Sequence, residues 1–202
     1  MNSGASVSDD PLKAFVLDLL YPAVLGSVIV LLFVRVANSV LDALSDSATY
    51  LAIILAIYYV FGFVSSKMIL AYNSRVAALD CVNSVLIFLC FYLLGFSEGT
   101  IHRSESPSVD FFWLYLLLIF VFLSPYARRF ILGERTLLTI RNVMTFLSTL
   151  IAVLALLGAK GVRFAAWLTP PMVVALLVII LVAYFFDLYL RGMTPRNRPP
   201  PV

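Results

Sequence analysis

The chain has 202 residues, 62% of them hydrophobic and only 12% charged, with a formal net charge of +3 at neutral pH. A soluble globular chain is about a quarter charged and under half apolar, so no soluble domain of this length has interior enough to hide such a sequence. The small positive balance falls mostly at the ends of apolar runs, which fits membrane topology and not a nucleic-acid surface.

Sharp polar breaks divide the chain into six apolar runs, at 19–34, 50–64, 81–96, 111–127, 143–158 and 164–186. The first follows SDDP, a helix-start signal with Asp9 or Asp10 as cap and Pro11 in the first turn. That acidic leader argues against a cleaved signal peptide, whose start is basic. Pro22 removes a backbone hydrogen bond and predicts a kink beside Asp18, with a small-residue patch at Ala23, Gly26 and Ser27 just beyond it. Residues 35–47 keep helical spacing, with Arg35, Asn38, Asp42 and Ser45 on one side and Val36, Val40 and Leu44 on the other. The first helix is thus expected to run out past the bilayer.

The third run carries Cys81 and Cys90, nine residues apart. On a helix they lie on opposite faces about 14 Å apart along the axis, too far to bridge, and read as small apolar core residues. Residues 96–110 form the longest polar loop. In the fifth run Arg141, Thr145, Ser148, Ala152 and Ala155 recur at helical spacing, with Thr149 beside them. Such a small, polar face either packs closely against another helix or lines a narrow aqueous route. Pro170 and Pro171, early in the sixth run, fit a first-turn position or a bend. Tyrosines and tryptophans collect near run ends, at Tyr21, Tyr50, Tyr72, Trp113, Tyr115, Tyr126, Trp167 and Tyr189, as in an interfacial belt.

A bilayer core of about 30 Å takes about 20 helical residues. Runs of 15 or 16 residues must therefore continue into their flanks. With the N-terminus cytoplasmic, the inner segments hold Lys13, Lys67, Arg75, Arg128, Arg129, Arg135, Arg191, Arg196 and Arg198, nine in all. The outer loops hold Arg35, Arg103, Lys160 and Arg163, which makes four. The remaining basic residue, Arg141, lies at the inner end of the fifth run. That bias puts both termini in the cytoplasm. The expected fold is an all-α integral membrane protein: a cytoplasmic tail over 1–10, a six-helix bundle over 11–190, a basic, Pro-rich cytoplasmic tail over 191–202, and no soluble domain. Its expected location is a cell membrane, of the bacterial inner-membrane kind.

Several ionisable residues mark the inner ends of the runs. Lys67, Arg128 and Arg129 are expected to snorkel to the headgroups as anchors. Aspartates are too short to do so, and an anionic leaflet repels them. Asp187 has Arg191 four residues later, in the favourable order. Asp18 and Asp80 have no basic residue at three or four positions, and Arg141 has no acid within a turn. The three are therefore expected to meet across helices 1, 3 and 5, either to hold the helices together or to line a pathway, with a neighbouring subunit as another source of partners for Asp18.

The single histidine, His102, lies in an outer loop, which excludes His-based metal centres and Ser–His catalysis within the spans. There is no GxSxG, HExxH, P-loop or TVGYG segment and no series of regularly spaced arginines. No enzyme activity, metal or cofactor is expected. Two functions fit: a small homo-oligomeric channel or transporter, or a membrane-embedded sensor or anchoring subunit that recruits a cytosolic protein through its inner loops and tail. The bilayer is a partner in both, and nucleic acid in neither.

Overall fold

In the computed structural model, residues 11–38, 40, 46–67, 72–95, 110–133 and 140–193 are described, and among them the chain is all-helical without strands. Among the described residues, six helices are long and apolar enough to cross a membrane. Helix α1 spans 11–38, α2 Ser47–Lys67, α3 Ser74–Leu93, α4 Phe111–Leu132, α5 Ile140–Ala159 and α6 Pro170–Met193.

Local chemistry sets their ends. α3 starts at Ser74 because extended Asn73 caps it, its side chain accepting the Val76 N–H at 3.0 Å. It stops at Leu93, where Gly95 turns left-handed at φ 80°. The third helix thus begins seven residues before the apolar run that announced it, and it carries Asp80 on its second turn. Asp110 caps α4 by accepting the N–H groups of Phe112 and Trp113, and Gly133, at φ 70°, closes it. Asp46 caps α2, accepting from Ala48 N and the Thr49 hydroxyl, while Arg35 from the end of α1 pairs with the same carboxylate. The expected outer extension of α1 is seen as far as Asn38, and residues 41–45 lie outside the described ones.

Two prolines act differently from one another. The kink expected at Pro22 takes the form of a π-helical turn over Phe15–Leu20, closed by the Tyr21 N–H bonding the Val16 carbonyl. Pro22 has no N–H for the Asp18 carbonyl, and the wider turn absorbs that gap in the ladder. Pro170, in contrast, opens α6 at its first turn, where a missing N–H costs nothing. The apolar run beginning at 164 instead starts with a 3-10 turn, Arg163–Ala165, folded back on the end of α5. Gly158 permits this: a Cβ there would lie 2.5 Å from the Ala165 carbonyl oxygen.

Consecutive helices α3 to α6 pack as antiparallel neighbours, α6 returns against α2, and α1 lies across α2 and α3. Spans two and three bury the largest share of their residues and span six the smallest. The core therefore sits where α1, α2, α3 and α4 meet, with Val16, Tyr21, Leu55, Tyr59, Ile87 and Leu118 among its buried side chains.

Candidate functional site

Helical spacing from the Asn73 cap aligns Asp80, Asn83, Ser84, Ile87, Cys90 and Phe91 on the inward face of α3. A carboxylate is thereby carried inside the bundle, one to two turns from the end that α3 shares with the C-termini of α2 and α4. Only 4% of Asp80 remains exposed. Its Oδ2 accepts two hydrogen bonds, each 2.9 Å, from the Ser66 hydroxyl on α2 and from the Tyr72 hydroxyl in the α2–α3 connection.

Arg128 of α4 brings Nη2 to 3.8 Å from the same oxygen, beyond hydrogen-bond length, and donates instead to Ser66 Oγ at 2.8 Å. Ser66 thus stands between the cation and the anion. Its single proton has two acceptors in reach, Asp80 Oδ2 at 2.9 Å and the Gly62 carbonyl at 2.8 Å. The Tyr21 hydroxyl of α1 lies 3.4 Å from Ser66 Oγ, and its ring stacks on Tyr59 with centroids 4.8 Å apart. Tyr59 in turn donates to Ser84 Oγ, and Ser84 donates to the backbone carbonyl of Asp80, both at 2.8 Å. Four helices are tied to one carboxylate.

The electrostatics follow from this enclosure. Burial, the adjacent Asp80 carboxylate and the hydrogen bond to it push the Tyr72 hydroxyl well above its ordinary value, which keeps it a donor. Taking an aspartate and an arginine out of water is costly, and breaking such a pair by removing one partner costs about 3–5 kcal/mol in water-soluble proteins. Interior hydroxyls on both charges offset that cost.

Arg128 reaches the site through a specific device. Pro125, inside α4, has no N–H to give the Val121 carbonyl. The Tyr58 hydroxyl of α2 takes that role at 3.1 Å, with its ring edge-on to Phe122 at 5.5 Å. Less than one turn after the proline, Arg128 points between α2 and α3, its Nε buried without a hydrogen-bond partner among the described residues. No protein-family model matches this chain. Neither a curated protein nor a solved structure shows significant similarity to it.

Among the three residues expected to cluster, Asp80 lies in the interior described above. Asp18 is exposed on α1 between exposed Phe15 and Leu19, while Val16, Leu17 and Tyr21 turn inward. Ion pairs among the described residues include Arg35–Asp46 and Arg128–Asp80, and Asp18 belongs to neither. Arg141 sits in the first turn of α5, and its side chain lies outside the described ones, as does that of Arg191, the expected partner of Asp187. On the fifth helix Ser148, Ala152 and Ala155 are buried, while Thr145 and Thr149 are half-buried. The Ser148 and Thr149 hydroxyls bond carbonyls of their own helix, at Met144 and Thr145.

Two expectations about interfacial residues change. Arg128 is not a headgroup anchor but the cation of the buried site. Lys67 does stay exposed, with Nζ 4.6 Å from the Phe63 ring centroid. Tyr21, Tyr72 and Tyr115 are buried, whereas Tyr50, Trp113 and Trp167 remain exposed as in a belt. The signal for the site was present in Asp80, Asn83 and Ser84, three polar residues at i, i+3 and i+4 in an apolar helix.

Proposed function

We propose that this chain is a multi-pass membrane protein with both termini cytoplasmic, acting as a small homo-oligomeric channel or transporter whose charged site at the cytoplasmic end controls the route. Support for residence in a bilayer comes from large outward apolar side chains along whole helices: Ile29, Val30 and Phe33 on α1, and Ile179, Val182 and Phe186 on α6. Exposed apolar surface on that scale marks lipid or another membrane helix. The basic residues in and beside the α2–α3 and α4–α5 connections, Lys67, Arg75, Arg129 and Arg135, support that orientation.

One observation carries the functional part: the Asp80–Arg128 ion pair inside the bundle. Ionisable groups in such places mark ion pathways and relays, because hydrocarbon penalises them unless they serve a purpose or are tightly paired. Here the pair is loose at 3.8 Å, with a hydroxyl between the charges. It lies where α2, α3 and α4 meet, so a change of charge there would alter how the end of α4 is held against α2 and α3.

Purified protein in liposomes, loaded with ion-sensitive dyes under an imposed gradient, tests this directly. Flux above that of empty liposomes is expected, and its absence for protons, alkali cations and halides alike would overturn the proposal. Orientation is tested separately by labelling Ser104→Cys from outside and Ile131→Cys from inside with impermeant reagents. Protection of position 104 from the outside reagent would reverse the topology.

A further inference from the structure

We propose that Asp80 is a proton-binding site, with Ser66 as the hydroxyl that switches its bond when the proton arrives. The proposal deepens the transport reading and rests on it for its consequence, that the proton is the ion moved by or coupled to flux. The binding step itself stands on geometry.

In both protonation states the bonds that link Asp80, Ser66, Tyr72 and Arg128 Nη2 can be made without moving a heavy atom far. With Asp80 ionised, Oδ2 accepts from Ser66 and Tyr72, each at 2.9 Å, and Ser66 Oγ accepts from Arg128 at 2.8 Å. When a proton binds Oδ2, the new O–H donates to Ser66 Oγ along the same 2.9 Å line. The Ser66 proton swings to the Gly62 carbonyl, already 2.8 Å away. Tyr72 still donates to Asp80 and Arg128 still donates to Ser66. The balance is one proton taken from water, one O–H bond formed on the carboxylate, and one hydroxyl rotated. Buried polar groups are costly when orphaned. Arg128 Nε lacks a partner among the described residues in either state, and protonation of Asp80 adds no orphan among the Asp80, Ser66, Tyr72 and Arg128 Nη2 bonds.

The groups facing Asp80 fit a proton better than a metal cation. They are Tyr21 from α1, Tyr59 and Ser66 from α2, Tyr72 from the connection and Arg128 from α4. Lys13 lies further out, 5.9 Å from the Tyr72 ring centroid. A metal cation needs several oxygen ligands around it, but the Tyr72 hydroxyl points its hydrogen at the carboxylate and Arg128 already holds a fixed positive charge 3.8 Å away. A proton needs no coordination shell. Because Arg128 bonds Ser66 and not the carboxylate, protonation breaks no arginine hydrogen bond.

Infrared difference spectroscopy of the full chain in lipid films, taken at stepped pH, reads the step without requiring transport. A protonated-carboxyl C=O band is expected to grow on acidification and to be lost in Asp80→Asn. In Ser66→Ala the band should shift to higher frequency, because the new O–H loses its acceptor; this variant keeps the test open if Asp80→Asn fails to fold. A band unchanged in both variants, or no pH-dependent carboxyl band while the protein stays folded, would overturn the proposal. Should the band behave as expected while liposomes pass no ion, proton binding stands and the transport reading fails.

Discussion

Replacing Tyr58 with Phe removes one hydroxyl and keeps the ring, so the edge-on contact with Phe122 at 5.5 Å survives. What is lost is the 3.1 Å donor to the Val121 carbonyl, which Pro125 has already deprived of its helical partner. An orphaned buried acceptor costs about 1–3 kcal/mol in soluble proteins. Interhelical hydrogen bonds in membranes average about 0.6 kcal/mol and reach about 1.7. A loss near 1 kcal/mol is therefore expected, about fivefold in the folding equilibrium. Pro125→Ala restores a backbone N–H four residues after Val121, so in that background Tyr58→Phe should cost close to nothing. Reversible unfolding in mixed micelles of the wild type, both single variants and the double variant gives the coupling. An equal cost of Tyr58→Phe with and without Pro125→Ala would refute the reasoning that the tyrosine substitutes for the missing N–H.

Gly158→Ala should destabilise by about 1–3 kcal/mol, because the new Cβ would sit 2.5 Å from backbone at Ala165 and force the 3-10 turn away from α5; Gly26→Ala, whose Cβ would meet nothing within 4 Å, is the matched control expected to unfold no earlier than wild type. Asp46→Ala should cost about 0.5–2 kcal/mol through loss of the α2 cap, whereas Asp46→Asn keeps the cap and loses only the part-exposed pair with Arg35, worth about 1 kcal/mol or less; hydrogen exchange at the first turn of α2 would separate the two. The raised Tyr72 value makes stability depend on alkaline pH. Its contribution is complete below the ordinary tyrosine value near 10 and is lost as pH rises through the higher folded-state value. Tyr72→Phe should be less stable at neutral pH and show a shallower alkaline decline in unfolding midpoint.

Each of the six apolar runs contains the bulk of one helix, because a long unbroken apolar segment has few other ways to satisfy its backbone. The limits were harder to read. For α3, the Asn73 cap and Gly95 outweighed the hydrophobic profile, moving the helix toward its N-terminus and taking Asp80 from the edge into the second turn. At the sixth run the apolar Phe164 went to a 3-10 turn, since close approach of Ala165 to Gly158 and the first-turn preference of Pro170 decided where the helix could begin. Asp80 was legible as an acid in need of a partner. Its cation was not, because spacing along one helix says nothing about Arg128 on another, and an arginine near a span end has a cheap alternative in the headgroups. That Tyr21 and Tyr72 face inward depends on the rotation of α1 set by its π turn and on the path of the α2–α3 connection, neither of which a composition pattern encodes.

Proton flux into liposomes under a valinomycin-set potential, compared among wild type, Asp80→Asn and Arg128→Gln, tests the role of the buried pair most directly. Each protein is first shown to be folded and monodisperse by size exclusion in the same detergent. Wild type is expected to carry flux above empty liposomes, Asp80→Asn to lose it, and Arg128→Gln to change its rate while leaving assembly intact. Equal flux in wild type and folded Asp80→Asn liposomes would contradict a working role for the site and leave the Asp80–Arg128 pair as a helix fastener.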